Sequence, residues 1–142
     1  MTETSTARSG RGLDWRAIFL SMTPLVWYTS MVVLATLGGY PGVVCVTPMA
    51  WLIGLWAGQR VAAISRSAGR RPLVEAAVAG ALVGLIEGAL FVAVGTQMPA
   101  QDAGELGQMV SFSACLVVLG VPITAGLAVL TAWLTLRRER RE

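Results

Sequence analysis

One carboxyl group lies deep inside an apolar run: Glu87, in AVAGALVGLIEGALFVAVG (77–95). An ionised side chain in hydrocarbon is costly, so such a group is paired, protonated or solvated in a cavity, and where it is functional it marks a proton relay or cation site. No Lys, Arg or His falls at its depth, so burial favours the neutral acid. A neutral Glu87 can satisfy itself structurally by donating to the Val118 carbonyl, which Pro122 leaves without its usual partner, or to the Tyr28 or Thr29 hydroxyl. Counting ~1.5 Å per residue from the helix ends puts all of these at a similar level. The functional alternative is a protonatable coupling site, and the sequence leaves both open.

Gly80, Gly84 and Gly88 recur at four-residue spacing around that acid, with Gly95 beyond. Small residues at this interval let a neighbouring backbone approach closely, which is how helices associate in lipid. They form a candidate helix-contact face, within the chain or with another protomer. At 100° per residue Glu87 lies about 20° from Gly80 and about 60° from Gly84, so it is expected to share that face.

Other chemistry is sparse. The chain has no His, and Cys45 and Cys115 belong to no metal-ligand or Cys-x-x-Cys spacing. They are expected to pack as small apolar residues near one membrane face, with a disulfide as the alternative. No nucleophile-base spacing, metal-ligand set or cofactor motif is present, so no catalytic, metal or cofactor site is expected and an enzyme is the least supported class. Arg60, next to Gln59, is expected to snorkel to a membrane rim. Trp15, Trp56 and Trp133 are expected near the interfaces, and Trp27 and Trp51 as mid-span packing.

The elements that hold these groups follow from hydropathy and charge. Of 142 residues 55% are hydrophobic and 13% charged, with mean hydropathy +0.66, too apolar for a soluble domain of this length. All eleven bases are Arg: three precede the first long apolar run, four separate the second from the third, and four follow the last. The other two connections carry none. This alternation is the positive-inside pattern of a chain crossing a membrane four times with both termini cytoplasmic. With no basic patch interleaved with stacking aromatics, the net charge of +3 does not point to nucleic acid.

The expected fold is an all-α membrane protein: four transmembrane helices as two antiparallel hairpins, spanning about 16–38, 43–64, 73–96 and 109–136. Residues 1–15 are expected to be a disordered cytoplasmic tail and 137–142 a basic one. GGYPG (38–42) makes a tight hairpin, and SRSAGRR (65–71) a basic loop. Pro72 opens the third helix with Glu75 in its first turn, where an acid suits the helix dipole. The fourth span, at ~42 Å for 28 residues against a ~30 Å hydrocarbon core, calls for tilt or a kink at Pro122. Thr23-Pro24-Leu25-Val26-Trp27 is echoed by Thr47-Pro48-Met49-Ala50-Trp51. The echo is read as coincidence, with an inverted repeat as the alternative.

The expected location is the bacterial inner (plasma) membrane, multi-pass. The expected role is an accessory, structural or complex-forming subunit, partnered by the lipid bilayer and by a second copy or a larger complex through the Gly80/Gly84/Gly88 face. The alternative is a small proton-coupled transporter or channel using Glu87. Small multidrug exporters also have four spans and one membrane carboxyl, but here the acid is on the third span and no further residues match.

Overall fold

The computed structural model of the chain describes residues 13–38, 47–66, 71–95 and 103–141. Among them every regular element is an α-helix: α1 (Trp15–Ser21), α2 (Thr23–Leu37), α3 (Thr47–Arg66), α4 (Pro72–Gly95) and α5 (Ala103–Glu139). The fold is all-α, with five helices where four were expected. Two stretches, Pro72–Val94 of α4 and Val117–Glu139 of α5, are long and apolar enough to cross a membrane, and the bent pair α1–α2 meets the same test when taken as one span. α3 does not, because Pro48, Trp51, Trp56, Gln59 and Arg60 dilute its apolar character. Val43 to Val46, expected to open that span, lie outside the described residues.

The first expected span is broken at Met22, where α1 and α2 meet at 47°. The cause is Pro24. It fits the first turn of α2, but a helix carried through it would strip the Leu20 carbonyl of its partner. Local hydroxyls cover what the break exposes. Thr23 Oγ1 donates to the Leu20 carbonyl at 2.8 Å and Ser21 Oγ to that of Ile18 at 2.6 Å. The Met22 N–H closes on the Phe19 carbonyl at 3.1 Å, and the Leu25 N–H on that of Met22 at 2.9 Å. In lipid an unmet carbonyl costs several kcal/mol, so these side chains make the break tolerable. Thr47-Pro48 likewise stands at the start of α3, so the repeated Thr-Pro stretch has a local explanation as a helix-opening signal.

Order begins before residue 15. Asp14 caps α1, its Oδ1 accepting from the Ala17 N–H at 3.3 Å. The Asp14 N–H in turn donates to Glu75 Oε1 at 3.0 Å. Glu75 does sit in the first turn of α4, but it is 2% exposed and also fastens the start of α1 to the start of α4. At the other end α5 runs on through Arg137 and Arg138, so the expected basic tail is partly helical.

α5 is the helix against which α3 and α4 pack most closely. Gly54 meets Thr124 and Gly58 meets Ala128 and Thr131, so α3 runs parallel to α5. Gly80 meets Thr124 to Ala128 while Gly88 meets Val117, so α4 runs antiparallel to it. Half of the twelve residues in the hydrophobic core are Ala (57, 62, 76, 79, 128 and 132), as backbones this close require. α2 touches its neighbours least.

Candidate functional site

The glycines expected to form a contact face line the seam between α4 and α5. A Cβ built on Gly80 would fall 2.5 Å from the Thr124 carbonyl oxygen, and one on Gly84 2.5 Å from Thr124 Oγ1 and 2.8 Å from Val121 Cα. One on Gly88 would run into the Val117 side chain. The chain's own α5 therefore occupies this face, and a second copy or other partner needs a different surface. Thr124 is the joint of the three helices. It is fully buried, its hydroxyl donates to the Gly120 carbonyl at 2.8 Å and lies 3.1 Å from that of Val121, and Gly54, Gly80 and Gly84 crowd around it. The sequence reading missed both Thr124 and the Gly54/Gly58 step on α3. The four-residue glycine spacing was the available signal, obscured by Trp51 before it and Trp56 within it.

Glu87 lies three residues beyond Gly84 on α4. It is half-buried, and the Tyr28 hydroxyl of α2 lies within electrostatic reach of its carboxyl. Gly88, its neighbour, meets Val117, so in this antiparallel pair Glu87 sits at about the level of Val118, as counted. Among the described residues it makes no hydrogen bond to Val118, whose side chain is exposed. No buried side-chain oxygen or nitrogen among the described residues lacks a partner.

A second polar locus lies at the elbow. The bend of α1–α2 opens a cleft of about 630 Å³ whose far wall is α3. Leu20, Thr23, Pro24 and Trp27 form one side, and Trp56, Arg60 and Ile64 the other. The Arg60 guanidinium lies over the Trp56 ring, 4.7 Å from its centroid. Arg137 repeats the arrangement over Trp133 at 5.1 Å, one turn apart on α5. Since α3 and α5 run parallel, both Trp-x-x-x-Arg steps face the same end of the bundle.

Two of the remaining tryptophans, Trp27 and Trp51, depart from expectation. Trp27 is 74% exposed and Trp51 is also exposed, so neither packs in the bundle interior. Trp15 is exposed beside Phe19, as an interfacial ring would be. Cys115 is an exposed free thiol, and Cys45 lies outside the described residues. Among the described residues no three His, Cys, Asp or Glu side chains converge.

No protein-family model, curated protein or solved structure matches the chain.

Proposed function

We propose that this chain is a multi-pass protein of the inner membrane, with both termini cytoplasmic, that serves as an accessory or complex-forming subunit. In this reading α1–α2 is one broken crossing, α3 with the apolar residues before it a second, and α4 and α5 the third and fourth. The segregation of Arg onto alternate connections supports that topology. The observation that carries the role is the interior of α3, α4 and α5. Gly58, Gly80 and Gly84 bring the backbones together, and small apolar side chains, Ala and Val above all, fill most of what is left, giving a closely packed unit. With the glycine face held by α5, the association surface falls on α2, which exposes Val26, Met31, Leu34 and Leu37.

The test is recovery of the tagged full chain from its native membrane in mild detergent. A partner in fixed ratio is expected. Recovery of the chain alone, as monomer or homodimer, would reject the subunit role. Reporter fusions at residue 102 and at the C-terminus are expected on opposite sides of the membrane; the same side for both sinks the topology.

A second reading, a small proton-coupled transporter, is favoured by Glu87 and Tyr28, a half-buried carboxyl within electrostatic reach of a phenol within a span. Glu87→Gln keeps the shape and removes the ionisable group. Under this reading it abolishes pH-dependent ligand binding while leaving insertion and thermal stability intact; a silent Glu87→Gln eliminates it.

A further inference from the structure

We propose that the elbow cleft is a binding site for one anionic phospholipid, its phosphodiester on Arg60 and an acyl chain against Trp27 and the apolar wall of the bend. The proposal rests on the membrane reading above and adds a defined ligand to it. The cleft, at about 630 Å³, has the size of a small-molecule site, large enough for a headgroup and part of a chain. Its chemistry is that of an amphiphile's partner: a single cation beside Leu20, Pro24, Trp27 and Ile64. Among the described residues the Arg60 guanidinium meets the Trp56 ring and no carboxylate. Stacking on the indole orients the guanidinium plane and leaves its N–H fork for a phosphate, which it can bind through two parallel bonds.

The level in the membrane agrees. Arg60–Trp56 and Arg137–Trp133 lie at one end of two parallel helices, where Trp marks the headgroup band and Arg the polar side of it. Beside the α3 pair the bend that Pro24 makes between α1 and α2 leaves the cleft. Basic pockets between transmembrane helices on the cytoplasmic side are suited to anionic headgroups.

The test uses the purified full chain in a maltoside detergent, with native mass spectrometry after adding dioleoyl phosphatidylglycerol or dioleoyl phosphatidylcholine at equal concentration. One phosphatidylglycerol per chain is expected to be retained, preferred about fivefold over phosphatidylcholine. Arg60→Gln is expected to remove the preference, Arg137→Gln to keep it, and Trp27→Ala to lower retention of both lipids. Glycerophosphoglycerol, the headgroup without chains, is expected not to displace the lipid. An unchanged preference in Arg60→Gln overturns the proposal, and so does displacement by glycerophosphoglycerol, which would make this a soluble-anion site. Trp27 is so exposed that its truncation removes little packing. If Arg60→Gln fails to fold, unchanged lipid retention in Trp27→Ala overturns the proposal by itself, and lowered retention supports it. A chain that stays monodisperse without detergent would defeat the membrane reading instead, whereas a chain that needs detergent yet shows no lipid preference defeats only the lipid site.

Discussion

Between α4 and α5 the backbones approach until one methyl group no longer fits; at the junction of α1 and α2 they part by 47° and leave a cleft. Both arrangements must satisfy backbone groups in apolar surroundings, and they do it differently. In the seams that α5 makes with α4 and α3, cohesion comes from proximity, gained by removing side chains at Gly58, Gly80 and Gly84. At the elbow the ladder is cut by Pro24, and the Ser21 and Thr23 hydroxyls take over its acceptors. Added bulk should therefore be ruinous in the seam and tolerated at the bend. Lost polar atoms should matter at the bend and less in the seam.

The largest effect is expected from Gly84→Leu and Gly58→Leu. A Cβ on Gly84 already lies 2.8 Å from Val121 Cα, and one on Gly58 overlaps the Ala128 carbonyl, so helix backbones must separate before any further atom is placed. Overpacking of a closed interior costs about 1–3 kcal/mol and sometimes more. These variants are expected to lose most of the folded, detergent-stable protein, read by thermal unfolding of purified chain. Gly126→Ala is the contrasting case. A Cβ there meets nothing within 4 Å, so the methyl adds helix propensity of about 0.5–1 kcal/mol without a clash. Its unfolding midpoint is expected to rise slightly. Equal losses at Gly84 and Gly126 would erase the distinction between a seam and an ordinary helix face.

The next effect belongs to the elbow and is best read as a cycle. Thr23→Val removes the donor to the Leu20 carbonyl and is expected to cost about 1 kcal/mol, a single polar group left unmet near the membrane rim. Pro24→Ala restores a backbone N–H that can reach the same carbonyl. In that background Thr23→Val is expected to cost almost nothing. Additive losses in the double variant would mean that the hydroxyl does not stand in for the missing N–H, and the account of the bend would fail.

How much of this was legible depended on the range of the signal. Gly80, Gly84 and Gly88 declare a contact face by spacing alone, but the same spacing cannot name the helix they meet. That took the register that sets Gly80 on Thr124 and Gly88 on Val117. Pro24 was visible as a proline in an apolar run. The run of about twenty apolar residues nevertheless reads as one span, because hydropathy has no term for the hydroxyls of Ser21 and Thr23 that let the helix break there. The bond from the Asp14 N–H to Glu75 joins residues 61 apart and left no mark in local pattern. The Trp56–Arg60 and Trp133–Arg137 steps were present as four-residue spacings. Their meaning depended on knowing that α3 and α5 run parallel. Glu87 was found from its type and surroundings, but the Tyr28 hydroxyl within its reach belongs to another helix, which helical spacing on α4 cannot name.

The smallest expected effect tests whether side-chain hydrogen bonds add cohesion to the seam at all. Thr131 Oγ1 lies 3.1 Å from the Leu55 carbonyl of α3 and also 2.9 Å from that of Leu127 in its own helix. Thr135 Oγ1 lies 2.8 Å from the Thr131 carbonyl, within its own helix. The two residues sit one turn apart on α5, so Val replaces each with similar shape and differs only in the bond across helices. Interhelical bonds of this kind average about 0.6 kcal/mol in membranes and reach about 1.7. Thr131→Val is expected to lower stability by roughly that average, while Thr135→Val leaves it unchanged within error, both read by steric trapping or reversible unfolding in detergent. If the two variants are indistinguishable, cohesion of α3 on α5 comes from the close approach at Gly58 alone. The seam would then differ from the elbow more sharply than the hydrogen-bond pattern implies.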